Sequence, residues 1–141
     1  MSRLGYVKQV VEELGMSVGQ SDLSLDDRGA TVLQVEGMVF TLIHAADPEE
    51  ILWLFVDLGQ VPEDAELLRG LLTFGLMTWA SAQMTVGVNK AGDRILGYVA
   101  LPVVVLTAER LIDCLNRMHA CGTELVGRLN RRDFSFDPGA P

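Results

Sequence analysis

Residues 51 to 58, Ile51-Leu52-Trp53-Leu54-Phe55-Val56-Asp57-Leu58, contain one charged residue and no other polar one. Their aromatic and branched side chains suit a strand, and along a strand successive side chains point to opposite faces. Ile51, Trp53 and Phe55 would therefore point one way, and Leu52, Leu54, Val56 and Leu58 the other. A small domain with an antiparallel sheet usually buries one face and wets the other. A strand that is apolar on both faces needs cover on both. The chain's own helices are one source of cover and a second molecule is another, which points to a protein that binds or assembles.

The rest of the chain sets the scale. Its 141 residues fit one domain with a single core. Apolar residues make up 49% and mean hydropathy is +0.27, yet the net charge is −8. Self-repulsion at that charge keeps an apolar domain in solution. Eleven Lys and Arg are scattered without a basic patch, which argues against nucleic acid as a partner. The acidic balance suits a basic or polar peptide better. The N-terminal residues Met1 to Lys8 lack the apolar core of a signal peptide, and no apolar run approaches the ~20 residues of a membrane helix.

Periodicity orders the elements. Leu4, Val7, Val10, Val11 and Leu14 follow helical spacing, with Gly15 as the expected stop. Leu23-Ser24-Leu25 alternates into the turn Asp26 to Gly29, and strands are expected at 31–35, 38–43 and 51–58. Pro62, Glu63 and Asp64 introduce a helix to about Ser81, with acids favourably placed at its N-terminus. Leu67, Leu68, Leu71, Leu72, Phe74, Leu76, Met77 and Trp79 nearly encircle that helix, so it is either deeply buried or shared with a partner. Strands at 84–88 and 95–101 flank the turn Asn89 to Asp93. Thr107 caps a last helix striped by Leu111, Leu115, Met118, Gly122, Leu125 and Leu129. The expected fold is α+β: helix, three or four antiparallel strands, helix, two strands, helix, with a twisted sheet packed by helices. Residues 1–129 form the domain and residues 130–141 a flexible tail.

Catalytic motifs fail on inspection. Gly87 and Gly92 have phosphate-loop spacing, but Asp93-Arg94 replaces the required Lys and Ser or Thr. A hairpin turn explains them. Asp22 to Leu33 lacks the central Gly and terminal Glu of a calcium loop. His44 and His119 have no second ligand at metal spacing, and both read as surface or core histidines. Asp26-Asp27, Glu49-Glu50 and Glu63-Asp64 lie in turns or at helix starts, where solvation and capping account for them. Cys114 and Cys121 on one helix lie about 10 Å apart at ~1.5 Å per residue, beyond the ~7 Å reach of a disulfide. Free thiols fit a reducing compartment. Neither a cofactor nor a metal is expected.

The order of elements resembles that of the type III secretion chaperones of the Tir chaperone (CesT-like) family, across roughly residues 4 to 129. The resemblance rests on Glu12-Glu13-Leu14-Gly15, on the meander from Leu23, and on Leu52-Trp53-Leu54-Phe55-Val56-Asp57-Leu58-Gly59-Gln60-Val61-Pro62. It continues through Leu67-Leu68-Arg69-Gly70-Leu71-Leu72, Val86-Gly87-Val88, Ile95-Leu96-Gly97-Tyr98 and the last helix. Thr73-Phe74-Gly75 departs from it, standing where relatives carry a more polar segment. The resemblance implies an acidic homodimer of the bacterial cytoplasm without enzymatic activity. Such a dimer binds the N-terminal region of a secreted effector as an extended segment, and the secretion-apparatus ATPase is a further partner. By the same analogy Leu72, Leu76, Trp79, Leu96 and Tyr98 form the dimer interface. Val7, Val10, Leu14, Leu25, Leu33 and Val35 receive the effector.

Each of these residues taken singly reads equally as ordinary core, whereas the full set is expected to exceed what one subunit can bury. Two other functions stay open. One is a stand-alone assembly or regulatory domain of similar fold acting on a folded partner. The other is an enzyme or small-molecule binder whose pocket is closed by the last helix.

Overall fold

A computed structural model describes residues 2–134, apart from the side chains of residues 80–82. Helix α1 (Leu4–Ser17) precedes three strands, β1 (Ala30–Val35), β2 (Met38–Ala45) and β3 (Ile51–Gln60). Helix α2 (Ala65–Ala82) follows, then β4 (Thr85–Val88), β5 (Arg94–Pro102), a 3-10 turn at Val103–Val105 and helix α3 (Ala108–Arg131). The strands form one antiparallel sheet in the order β1-β2-β3-β5-β4, so the two-faced strand lies in the middle.

Turn chemistry sets the register. Glu36 and Gly37 both adopt left-handed conformations, and this two-residue turn matches the twist of the flanking strands β1 and β2. The Asn89 side chain accepts from the N–H groups of Asp93 and Arg94, which closes the β4–β5 hairpin. Gly87 and Gly92 thus belong to a hairpin, as their sequence context implies. The Asp64 carboxylate caps α2 through the N–H groups of Glu66 and Leu67, and the Thr107 hydroxyl caps α3 through Arg110.

Leu52, Leu54, Val56 and Leu58 point into a core built with Val7, Val10, Val11 and Leu14 of α1, Leu71 and Phe74 of α2, and Leu111, Leu115, Met118 and Leu125 of α3. Each such side chain is worth about 1.5–3 kcal/mol when fully buried. Gly122 lets α3 settle onto the sheet, because a Cβ there would lie 2.9 Å from Leu58 Cδ2 and 3.2 Å from Met38 Sδ.

Several boundaries differ from expectation. Helix α1 continues past Gly15 to Ser17, and Gly15 is buried against the Gln20 carbonyl and Leu23. The glycine there serves close packing, while the helix stops at Val18 before Gly19, whose φ is +77°. Leu23 and Leu25 are buried but lie outside any strand. The last helix runs beyond Leu129 to Arg131, and Phe134 packs edge-on against Phe74 at 6.2 Å between ring centres. The chain therefore stays attached to the domain further than residue 129. Residues 135–141 of the expected tail lie outside the described residues.

Candidate functional site

The second face of the sheet has no share in the core cluster that the helices build with the first. On it, Ala30, Ile43, Trp53 and Ala100 form one cross-strand row, and Val32, Thr41, Phe55, Tyr98 and Thr85 form the next. Trp53, Phe55 and Tyr98 pack on one another with ring centres 5.9 to 6.3 Å apart. That mutual contact leaves each half-buried. Val32 and Val39 extend the apolar surface and are exposed. Along β3 the apolar stretch ends at Asp57, whose carboxylate takes the Arg94 guanidinium at 2.9 and 3.0 Å beside a bulge at Asp57–Gly59.

Helix α2 presents a second apolar surface. It turns Leu67, Leu71, Phe74 and Thr78 inward and leaves Leu72, Leu76 and Trp79 exposed at 74%, 76% and 58%. Exposure on that scale in three large apolar residues of one helix marks an interaction surface. A groove of about 340 Å³ runs between this helix and β4, lined by Leu72, Gly75, Leu76, Trp79, Val86 and Val88. Trp79 also borders a slot with Trp53, Thr85, Tyr98 and Ala100, so the two apolar surfaces are contiguous.

The residues expected at a dimer interface thus fall into two groups. Leu72, Leu76 and Trp79 stand out on α2, whereas Leu96 and Tyr98 are half-buried on the bare sheet face. The residues expected to receive an effector are placed otherwise. Val7, Leu14 and Leu33 have no exposed surface, and Val10 and Leu25 are at 3% and 6%. All five lie in the core, so they offer no exposed surface in this subunit, whereas the full set of expected contact residues is not buried by it, since Leu72, Leu76 and Trp79 stay exposed. Only Val35 remains half-buried. The surface residues that sequence reasoning left unassigned are Val32, Val39, Ile43, Trp53 and Phe55. Strand alternation was the available signal, since Val32 and Leu33 are adjacent and face opposite ways.

Polar groups are paired in structural roles. His44 Nε2 lies 2.7 Å from Glu50 Oε2, and the same oxygen accepts from the Arg3 N–H at 2.7 Å. Burial works against the Glu50 carboxylate. The bonds from His44, Arg3 and Ser2 outweigh it and hold its carboxyl below the usual glutamate range. Backbone N–H groups of Ala30 and Arg28 likewise lower Asp26, and those of Glu66 and Leu67 lower Asp64. Burial pushes the Cys114 thiol up to about 11, which leaves it unreactive. His119 Nε2 is 3.5 Å from the Glu36 carboxylate, close enough for charge attraction but without a hydrogen bond. Among the described residues no three His, Cys, Asp or Glu side chains cluster as metal ligands, and no helix is long and apolar enough to cross a membrane.

Comparison with known proteins completes the picture. Among curated proteins, none matches the chain. Among solved structures, a chain of the ExsC–ExsE complex superposes with a TM-score of 0.73 at 22% identity, covering 86% of this chain and 92% of its own. A chain of the HopA1–SchA chaperone–effector complex gives 0.74 at 17% identity, with coverage of 88% and 95%. The complex of the Yersinia pestis type III secretion chaperone SycH with a fragment of YscM2 gives 0.65 at 17% identity, with coverage of 84% and 98%. At these identities the likeness establishes the fold. The family model of the Tir chaperone protein (CesT) family matches residues 9–120, most of the sequence. The chain belongs to the Tir chaperone (CesT) family.

Proposed function

We propose that this protein is a type III secretion chaperone that binds the N-terminal region of a secreted effector as an extended segment and keeps it competent for secretion. It acts without catalysis. The observation that carries this reading is the bare sheet face around Trp53, Phe55 and Tyr98, an apolar surface in the middle of the fold that, among the described residues, takes no part in the core built by the helices. Membership of the family and the fold shared with a chaperone–effector complex support the same reading. Alternating side chains of an extended client meet the rows of this face, while a sheet edge offers main-chain hydrogen bonds.

The same proposal includes a homodimer held through Leu72, Leu76 and Trp79, with Leu96 and Tyr98 at its margin. It further includes residence in the bacterial cytoplasm and hand-over to the secretion-apparatus ATPase. With Val7, Val10, Leu14, Leu25 and Leu33 buried, the surface proposed for the client is the opposite face of the sheet, while Val35 lies on the same side as Leu33 and packs against the core. Co-expression with a secreted protein encoded in a neighbouring reading frame tests the function. The expected result is a co-purified complex whose client N-terminus is protected from protease, lost in Phe55→Asp with the fold retained. Binding restricted to folded partners would instead identify a stand-alone assembly domain.

A further inference from the structure

The bare sheet face is apolar in its middle, and acidic turns stand at the end of the sheet where β1 begins and β2 gives way to β3. The turn at residues 26–29 and the connection at 46–50 meet there, joined by the His44 N–H bond to the Gly29 carbonyl. Asp26 is occupied by the N–H groups of Arg28 and Ala30, and Glu50 by His44 and Arg3. Asp27, Asp47 and Glu49 are exposed and have neither a hydrogen bond nor an ion pair among the described residues. Arg28 lies in the same turn, and Arg3, whose N–H is bonded to Glu50, holds its guanidinium 4.8 Å above the Tyr6 ring. The other end of the face differs, because Asp57 is neutralised by Arg94. The protein as a whole carries −8.

We infer that the segment covering this face carries lysine or arginine beside its apolar stretch, placed to meet Asp27, Asp47 and Glu49. The inference rests on the reading of the bare face as the acceptor of an extended client, and it adds the charge of that client. An acidic segment would meet like charge at this rim and across the whole molecule, whereas a basic one is steered in. Rim charges act on association rate and partner choice more than on final affinity. Charges within the ~8 Å Debye length at physiological salt still sense one another, and added salt removes the effect.

Two synthetic peptides with one alternating leucine–threonine core test this, one flanked by lysines and the other by glutamates. The Trp79→Phe protein leaves Trp53 as its one tryptophan, since the chain has two, so its fluorescence reports occupancy of the bare face. The expected result is binding about tenfold or more tighter for the lysine peptide at low salt, with the advantage shrinking as salt rises. The advantage should also fall in Asp27→Lys/Glu49→Lys, whose surface positions leave the core untouched. Equal affinities, a preference for the glutamate peptide, or an advantage that survives the double charge reversal would overturn the inference and leave the client-binding reading intact. If neither peptide perturbed Trp53, the bare face would not accept extended segments, and the inference would fall together with that reading.

Discussion

The two faces of β3 are made from nearly the same residues and meet opposite fates. Leu52, Leu54 and Val56 have no exposed surface, while Ile51, Trp53 and Phe55, between and beside them, stay half-buried against one another. Hydrophobicity alone does not separate them, since the half-buried set contains the larger side chains. The difference comes from where the helices go. All three contribute to a single core with the first face. Burial in this fold is therefore a matter of available partners, and the second face remains apolar without one. In a chain that folds alone such a surface risks aggregation, and in one that binds others it is the working surface.

The sharpest way to break this comparison is to truncate one side chain on each face. Leu54→Ala removes core contacts and is expected to cost about 2–5 kcal/mol in chemical denaturation. Phe55→Thr, one residue away, is expected to cost about 1 kcal/mol, since it loses aromatic contact but opens no core cavity and keeps strand propensity. Equal losses would mean that the second face is core after all. Next in size is Leu76→Asp on the outer surface of α2. It is expected to weaken self-association by about 2 kcal/mol or more while the circular dichroism spectrum is unchanged. A variant that sediments as the wild type does would remove this helix from the dimer interface.

Gly122→Ala sharpens the covered side. The added methyl meets Leu58 and Met38 inside normal contact distance, with an expected cost of about 1–3 kcal/mol. A Tm equal to that of wild type would show that α3 can lift off the sheet freely. The smallest effect lies at the Glu50 clasp. Its folded carboxyl is held below the ordinary glutamate range, so its contribution to stability is present above that range and lost as pH falls through the lowered value. Glu50→Gln should flatten that part of the acid-unfolding profile, and an unchanged profile would assign the acid sensitivity to other carboxylates such as Asp26 or Asp64.

Much of this arrangement is legible in the sequence. Strand alternation placed Leu52 and Trp53 on opposite faces, and the apolar circumference of residues 67–79 marked α2 as a helix with surplus surface. What stayed hidden was which face the helices would choose. Period-two alternation separates Leu33 from Val32 but is silent about which one is sealed, and a slip of one residue exchanges the two sets. The expected effector contacts Leu33 and Val35 therefore fall on the covered side of β1. The choice depends on long-range packing of α1 and α3, in which Val7, Leu14, Leu111 and Met118 close over Leu33 and Leu54. No local signal at Leu33 carries that information. Gly15 shows the same limit at smaller scale, since close approach of Gln20 and Leu23 explains it, while its sequence position suggests a helix stop.

The Asp57–Arg94 pair beside the bulge has a further consequence, which is one of length. Along β3 the apolar stretch of the bare face begins at Ile51 and ends at Phe55, because the next side chain on that side is a carboxylate gripped by a guanidinium. At ~3.3 Å per residue this is roughly 15 Å. A chain laid parallel to the strand runs out of greasy contact after a few residues and must then turn, leave or cross to the slot beneath Trp79. If the bare face holds an extended client, as proposed, the ion pair is the end-stop of a ruler that limits how much of it this subunit can hold in a straight line.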